Sequence, residues 1–230
     1  MVDMSNIVFK SKNAVVINKP AGIPSQKDTS GDKDALTLLS EELRGASERD
    51  ELYLVHRLDR VVGGLMVFAR SRSSAAELSR AAAEGELGKE YFAVAKGRAE
   101  GGVFVDYLYK NSTLGKALVA DKNKLGAKRA ELECSLLDTV STDKGEMSLL
   151  RITLKTGRFH QIRAQLSSRG HALVGDTKYG GADSAARLPA LFSCKLDLSV
   201  SGEKVSVTAL PNLNEYPWSL FAPEKYEDKI

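Results

Sequence analysis

Short runs with strand-like patterning make up most of this chain. A continuous apolar run from Ala14 to Asn18 is typical of a buried strand, and Pro20 and Gly22 directly behind it predict a turn. Apolar and polar residues alternate from Lys89 to Lys96 and from Ala130 to Leu136, the period of a strand with one buried face. Further strands are predicted near Ile7 and over Leu52–Val55, Leu65–Ala69, Leu149–Leu154, Leu191–Val200 and Lys204–Ala209, the last two as a hairpin around Ser201-Gly202.

Three segments have the spacing of amphipathic helices. The first is predicted over residues 35–44. The second begins at a capping box between Ser74 and Glu77 and continues to about Glu84. The third is predicted over residues 157–169. Glycines that could end these helices are Gly45, Gly85 and Gly170, and the residues predicted to face the core are Leu36, Leu39, Leu43, Phe159, Ile162 and Leu166.

The order of these elements restricts the fold class. Strands outnumber helices and do not alternate with them regularly, which excludes a doubly wound parallel sheet. The pattern therefore predicts an α+β fold in which helices flank a mixed, largely antiparallel β-sheet. Because 230 residues can bury one full core, we expect a single domain over residues 1–230.

Composition is that of a globular protein without a strong charge bias. Hydrophobic residues make up 43% and charged residues 27%, so extensive disorder is excluded. The net charge of +3 does not identify a nucleic-acid-binding protein, so any basic surface must be local. Cys134 and Cys194 lie in strand-like runs without nearby metal ligands and are predicted to be buried thiols of a reducing compartment. With no signal-like start in Met1–Asn6 and no membrane-length apolar run, we expect a soluble cytoplasmic protein.

The segment between two predicted strands carries the first candidate chemistry. His56-Arg57-Leu58-Asp59 places an imidazole, a guanidinium and a carboxylate in one loop, where rigid scaffolds present reactive groups. Gly63-Gly64 behind it permits a sharp turn or a close approach to a ligand. The alternative is an ordinary surface turn with an ion pair between Arg57 and Asp59.

A local excess of basic residues follows later in the chain. The basic side chains between residues 155 and 178 are Lys155, Arg158, Arg163, Arg169 and Lys178, together with His160 and His171, and Asp176 is the only acid among them. A helix beginning at Gly157-Arg158 would offer free backbone N–H groups to a phosphate, with Arg158 as a charged partner. The alternative is a solvated basic helix face.

Two further motifs are weaker when taken alone. Tyr91, in Lys89-Glu90-Tyr91, is either a core aromatic residue or a ring that stacks on a base. The segment from Gly175 to Gly181 is a glycine-bracketed loop whose spacing is not that of a Walker phosphate-binding loop.

Together, in this order, these motifs resemble those of the RluA branch of the pseudouridine synthases. The resemblance extends from Val16-Ile17-Asn18-Lys19-Pro20-Ala21-Gly22 to about Pro211. It includes the family's catalytic loop at residues 56–59, its tyrosine motif at 89–91, its arginine motif at 156–163 and its closing loop at 175–180. It implies the catalytic fold of that family and the isomerisation of uridine to pseudouridine in ribosomal or transfer RNA, with no cofactor and no metal.

The resemblance also implies roles for individual residues. Asp59 corresponds to the essential aspartate, Tyr91 to the active-site tyrosine and Arg163 to the arginine that pairs with the aspartate. Arg57 corresponds to a residue that fills the gap left in the RNA by a flipped nucleotide. The residues expected to contact RNA are His56, Arg57, Arg158, His160, Gln161, Lys178 and Tyr179.

The chain departs from the family pattern in three places. Val62-Gly63 replaces the usual Thr-Ser, which removes two hydroxyl groups, and Gln165 stands where the arginine motif usually ends in histidine. Because the first strand is predicted near Ile7, no separate N-terminal S4-like RNA-binding domain is expected. A monomer is the expected state.

Two other functions fit parts of this pattern. A catalytically silent RNA-binding or assembly protein could have the same fold, because fold does not determine function. A glycoside hydrolase would need a second acid facing the scissile bond, and neither the Asp59 loop nor the arginine motif supplies one.

Overall fold

The computed structural model describes residues 6–45, 51–222 and 225. These residues belong to two compact units: the first contains Met1–Lys89 and Phe192–Pro211, and the second contains Glu90–Leu191 and Asn212–Ile230. Residues 1–5, on which part of the argument about a signal sequence rests, lie outside the described residues. The single domain and the monomeric state stay predictions.

Within the described residues the chain forms three α-helices and eleven β-strands. The helices are α1 (Ala35–Gly45), α2 (Arg72–Glu84) and α3 (Gln161–Ser168). The strands are β1 (Ile7–Lys10), β2 (Ala14–Lys19), β3 (Tyr53–Leu54), β4 (Gly63–Ala69), β5 (Gly88–Lys96), β6 (Gly102–Asn111), β7 (Lys116–Ala120), β8 (Lys128–Thr142), β9 (Gly145–Leu154), β10 (Leu191–Val200) and β11 (Glu203–Thr208).

The sheet of the first unit is mixed. Strand β2 pairs with β1 and β4, and β10 pairs with β11, all antiparallel, whereas β4 and β10 run parallel. Strand β3 adds a short antiparallel pairing to the end of β4. Strand β4 is buried throughout, as expected of a central apolar strand. The core of this unit, centred on β2, β4, α2 and β10, includes Val16, Leu65, Val67, Leu78, Leu87, Leu196 and Leu198.

The sheet of the second unit is antiparallel. It follows the order β5-β9-β8-β6-β7, and β8 alternates as predicted, with Leu132 and Cys134 buried and Glu133 exposed. Helix α3 packs beside β6 and β7, and Ala164 of this helix joins a small core with Leu108. The parallel pair of β4 and β10 beside the antiparallel pairs confirms the predicted α+β fold with a mixed, largely antiparallel sheet.

Both cysteines are buried, and neither forms a disulfide, which confirms their predicted burial as thiols. Of the helices in the described part of the chain, none is long and apolar enough to cross a membrane.

Two helix starts differ from the prediction. The N-cap of α2 is Ser71, whose hydroxyl accepts a hydrogen bond from the Ser74 N–H, so the cap lies three residues before the predicted capping box. Helix α3 begins at Gln161, four residues after the predicted start at Gly157. His160, directly before it, has a left-handed backbone with φ of 51°, which separates the preceding turn from the helix. The predicted helix start at Gly157-Arg158 was therefore wrong, and the Arg158 N–H donates to Gln161 Oε1.

Candidate functional site

The backbone on both sides of Asp59 is held by the loop that follows β2. The Ser25 hydroxyl donates to the Leu58 carbonyl at 2.7 Å and accepts from the Leu58 N–H at 3.1 Å. On the other side, the Gly22 N–H donates to the Arg60 carbonyl at 2.7 Å and Arg60 Nε donates to the Gly22 carbonyl at 2.9 Å. Four hydrogen bonds thus fix the residues before and after the partly exposed Asp59, so its carboxylate is presented by a rigid backbone.

A buried lysine stabilises the loop that follows β2. Lys19 is 0% exposed, and its ammonium group donates to the carbonyls of Pro20 at 2.9 Å and Ile23 at 2.8 Å. Burial lowers the pKa of Lys19 to about 8, and attraction to Asp59 opposes this shift. A cation and the candidate catalytic carboxylate therefore share one region of the first unit.

His56 is uncharged at neutral pH. Its Nε2 accepts a hydrogen bond from the Val67 N–H at 3.2 Å, which ties the loop to β4. Burial, and secondarily the nearby charge of Lys89, lowers the pKa of His56 to about 3. His56 therefore supports the loop as a neutral hydrogen-bond acceptor. Arg57, one residue later, is exposed.

The turn after Asp59, where Val62-Gly63 lacks the two family hydroxyls, is closed by the backbone. The Val62 N–H donates to the Asp59 carbonyl at 2.9 Å, so a backbone hydrogen bond closes the turn after the aspartate. Gly64 has φ of +111°, and a Cβ atom there would lie 2.3 Å from the Ser193 carbonyl oxygen. Only glycine fits this position, because β4 and β10 approach closely. The turn is thus closed without either hydroxyl.

Arg163 lies in a buried ion pair. Its Nε donates to Asp176 Oδ2 at 2.7 Å and its Nη2 donates to Asp176 Oδ1 at 2.8 Å, while the two side chains are 5% and 1% exposed. The Tyr179 ring centroid lies 5.1 Å from Arg163 Cζ. A guanidinium carries five N–H donors, so a bidentate bond to one carboxylate leaves it able to serve a second. The one acid of the basic segment is therefore the anchor of its buried arginine.

The loop that supplies Asp176 depends on glycine. A Cβ atom at Gly181 would lie 1.7 Å from the Leu173 carbonyl oxygen, and one at Gly175, where φ is +82°, would lie 2.2 Å from the Leu188 carbonyl oxygen. These contacts explain why glycines bracket the loop, which the sequence showed without giving the reason.

Three of the residues expected to contact RNA are parts of the protein framework. The Gln161 side chain accepts from the Arg158 N–H at 2.9 Å and donates to the Glu131 carbonyl at 3.0 Å. His160 is 9% exposed and bonds to the Tyr179 hydroxyl at 3.0 Å. That hydroxyl also accepts from the Ala117 N–H at 2.7 Å. An RNA role for His160, Gln161 and Tyr179 would have to coexist with these contacts.

The other residues predicted for the site differ in their exposure to solvent. Tyr91 is 5% exposed on β5, whereas Arg158 and Lys178 are exposed and donate to the carbonyls of Arg129 and Gly115, at 2.9 and 3.2 Å. The second unit thus combines a buried, anchored arginine with exposed cations. The structure brings His56, Arg57 and Asp59 together in the first unit, and His160, Arg163 and Tyr179 together in the second.

Sequence reasoning missed several residues that shape these regions. Lys19 and Ser25 stabilise the loop that contains Leu58, Asp59 and Arg60, which we name the aspartate loop. The only signal of this in the sequence was a lysine at the end of an apolar strand. Gln165, the second departure from the family pattern, donates to Asp106 Oδ2 at 2.7 Å, and Arg169 donates to the same oxygen at 2.8 Å. These two bonds fix α3 to β6. Across the described ranges, no group of three His, Cys, Asp or Glu side chains is placed to hold a metal ion.

Comparison with known proteins gives one consistent family. A family model described as RNA pseudouridylate synthase matches residues 13–168. An uncharacterized RNA pseudouridine synthase of Bacillus subtilis is 30% identical over 197 residues, which cover 83% of this chain and 63% of that protein. Ribosomal large subunit pseudouridine synthase D of Vibrio parahaemolyticus is 33% identical over 86% of this chain and 58% of its own length. The chain thus spans less than two thirds of these two relatives.

A shorter relative and a solved structure extend the comparison. The tRNA pseudouridine synthase C of Vibrio cholerae is 30% identical over 77% of this chain and 75% of that protein. The structure of human RNA pseudouridylate synthase domain containing 1 superposes with a TM-score of 0.74 at 23% identity, over 95% of this chain and 85% of that one. This likeness shows a shared fold. Because the family model covers more than half of the chain, the protein belongs to the RNA pseudouridylate synthase family.

Proposed function

We propose that this protein isomerises uridine to pseudouridine in an RNA, with Asp59 as its catalytic carboxylate. The proposal depends on one observation: Ser25 and Gly22 form hydrogen bonds with the residues directly before and after Asp59. A carboxylate with both neighbouring residues fixed, and with the cation Lys19 close by, is suited to react at one substrate atom. Family membership supplies the reaction.

The reaction is a rearrangement within one nucleotide. The bond between uracil N1 and ribose C1′ breaks, the base turns, C5 bonds to C1′, and the C5 proton leaves for solvent while N1 gains a proton. Atoms and electrons balance without an oxidant or reductant, so the chemistry itself requires no redox cofactor. Asp59 acts in its ionised form, as a nucleophile at C1′ or as a base at C2′.

Two residues of the second unit are assigned to the same reaction. Arg163, always charged, would favour the ionised Asp59, and its bidentate bond to Asp176 supports this role by fixing the guanidinium. Tyr91 would stack on the uracil and assist removal of the C5 proton. Both assignments rest on family resemblance.

The substrate must expose its uridine. A base stacked in a helix has to flip out before its sugar can be attacked, and bases in RNA loops are already partly unstacked. Arg57, exposed two residues before Asp59, would fill the vacated space. Arg158 and Lys178 would contact phosphates, and the named relatives suggest ribosomal or transfer RNA as the substrate. The predicted cytoplasmic location fits such substrates.

Tritium release tests the proposal directly. Large-subunit ribosomal RNA and a pool of transfer RNAs, transcribed with uridine tritiated at C5, should release tritium with the wild-type protein. Asp59→Asn and Asp59→Ala should lower this rate by roughly a thousandfold or more, as removal of a reacting group does, while RNA affinity stays within a few-fold.

Asp138→Asn is the matched control, because it removes an exposed carboxylate from β8 that has no assigned role in the reaction. It should turn over like the wild type. Normal turnover by Asp59→Asn would refute the role of Asp59. RNA binding without tritium release by the wild type would instead identify the silent RNA-binding protein considered as the alternative.

A further inference from the structure

The segment from β6 to the start of β8 carries more positive charge than the whole protein. Residues 102–129 contain six basic and two acidic side chains, a net charge of +4, whereas the full chain carries +3. The rest of the chain is therefore at −1. The basic residues are Lys110, Lys116, Lys122, Lys124, Lys128 and Arg129. A local excess of this kind produces a positive field although the protein as a whole is nearly neutral.

Both acids of this segment accept hydrogen bonds. Asp106 accepts hydrogen bonds from Gln165 and Arg169, and Asp121 Oδ1 accepts from the Asn123 N–H at 2.8 Å. Arg129 pairs with Glu131 at 2.5 Å. Among the described residues, none of the five lysines has a carboxylate partner within ion-pair distance. Their charge is available to an anion.

The topology carries part of this charge across the sheet. Strands β7 and β8 pair with opposite edges of β6, so the connection between them has to cross one face of β6. We name this connection, residues 121–127, the crossover loop. Gly126 lies against the Tyr109 ring, with 3.7 Å from an added Cβ atom to the ring carbons. The loop therefore crosses the face that carries Tyr109.

The crossover loop has a defined backbone. The Lys124 N–H donates to the Asp121 carbonyl at 3.0 Å, and the Ala127 N–H donates to the Lys124 carbonyl at 2.9 Å, which makes two consecutive turns. Residues 121–126 are exposed, and Leu125 is 94% exposed. Lys122 and Lys124 thus belong to an ordered, exposed loop.

Aromatic rings accompany three of the lysines. The distances from Nζ to the ring centroid are 4.5 Å for Lys124 and Tyr109, 4.9 Å for Lys110 and Phe159, and 5.6 Å for Lys116 and Tyr179. Such contacts are worth about 0.5–1 kcal/mol at exposed sites, enough to favour one position of each ammonium. Unneutralised cations beside flat rings are the combination that binds unpaired RNA, through its phosphates and its bases.

We propose that the crossover loop, with Lys110, Lys116 and Lys128 beside it, is an RNA-docking surface that holds the substrate's unpaired segment outside the catalytic loop. This surface rests on the proposed function, because it names how the RNA substrate is held. It contains no residue of the assigned catalytic set. Its charge supplies affinity and orientation, since phosphate contacts position an RNA without reading its sequence.

Binding of a fluorescein-labelled, uridine-containing stem-loop RNA at several salt concentrations tests the surface. The variant is Lys122→Gln/Lys124→Gln. The slope of log affinity against log salt should decrease by about 1.4, at about 0.7 for each phosphate contact on a single strand. Over the decade from 1 M to 0.1 M salt this change is a roughly 25-fold higher Kd at 0.1 M. Lys122→Arg/Lys124→Arg, which keeps the charge, should bind like the wild type.

The matched control is Lys12→Gln/Lys204→Gln, which removes two exposed lysines of the first unit and the same total charge. Its slope should stay at the wild-type value. An unchanged slope in the crossover-loop variant overturns the proposal, and so does an equal decrease in both variants, which would mean diffuse attraction to the whole protein. Loss of binding by the Arg variant would also count against it.

Tritium release separates this inference from the proposed function. At saturating RNA the crossover-loop variant should turn over at the wild-type rate, because only binding is weakened. A wild-type protein that binds through this loop and releases no tritium would refute the proposed function and leave the docking surface standing. A crossover-loop variant that binds normally, with normal tritium release, would refute the docking surface and leave the proposed function standing.

Discussion

Lys19 illustrates how much a single buried charge can contribute to an active-site loop. Its buried ammonium group donates hydrogen bonds to the carbonyl oxygens of Pro20 and Ile23 instead of to water. It also lies within electrostatic range of Asp59. Because the group is fully buried, its charged form is costly unless these partners are in place. The loop that they form is the one that holds Leu58 and Arg60, so the lysine supports the aspartate indirectly.

The pKa of Lys19 predicts a pH dependence of stability. The folded protein loses this proton near pH 8, whereas the unfolded chain keeps it to about pH 10.5. Between these values the unfolded state binds more protons, so this lysine makes the free energy of unfolding rise with pH, by up to about 1.4 kcal/mol per pH unit. In urea unfolding from about pH 7.5 to about pH 10, Lys19→Met should remove this contribution.

The exposed Lys12→Met serves as the control and should keep the wild-type pH slope. Other lysines titrate in the same range, so the informative quantity is the difference between wild type and variant. A difference that does not change with pH would contradict the lowered pKa.

At the scale of elements, helix α2 shows how a good local pattern can start one turn late. Ser74 and Glu77 have the spacing of a capping box, but the structure uses both elsewhere. Ser74 is buried inside the helix, and Glu77 accepts from the Ser201 N–H in the β10–β11 turn at 2.9 and 3.1 Å. Ser71 provides the cap instead.

The cap assignment can be measured. Ser71→Ala should lower the free energy of unfolding by about 1 kcal/mol, the usual contribution of an N-cap side chain. Ser79→Ala, an exposed serine within the same helix, should be neutral or slightly stabilising, because alanine has the higher helix propensity. Equal effects of the two substitutions in urea unfolding would mean that Ser71 does not act as the cap.

At the scale of the whole molecule, the distribution of charge matters more than its sum. The basic segment from residue 155 to residue 178 looked like one cationic face. The structure instead buries Arg163 against Asp176 and pairs Arg169 with Asp106. Much of that charge is therefore structural, and the larger unneutralised excess lies in residues 102–129.

The Arg163–Asp176 pair should be costly to break from either side. Arg163→Met leaves a buried carboxylate without this partner and should lower the free energy of unfolding by about 3–5 kcal/mol, and Asp176→Leu should have a similar effect. The double variant Arg163→Met/Asp176→Leu should recover much of that loss, because it leaves neither charge buried alone. Urea unfolding of the four proteins gives the coupling energy.

The same proteins show whether Arg163 is needed for turnover. If it is, the double variant should be stable and yet release no tritium. Additive losses of stability would contradict the importance of the pair, and normal turnover by the folded double variant would contradict the role assigned to Arg163.

Several features were determined by the sequence alone. Most of the strand runs, the α+β class and the candidate chemistry of the Asp59 loop depend on local spacing, and local spacing sets which residues share a face. Strands β6 and β7 are the exception, because the sequence analysis did not predict them. The order of four motifs was enough to indicate the family. Such features can be predicted from the sequence because each involves residues that are close together along the chain.

Tertiary structure decided the rest. The burial of Lys19, the partner of Arg163, the choice of Ser71 as cap and the path of the crossover loop all depend on residues distant in sequence. Their energies come from burial and from hydrogen bonds between segments, which have no fixed spacing along the chain. A lysine, an arginine or a serine reads the same in the sequence whether it is exposed or buried, and only the folded contacts separate an anchor from a binding surface.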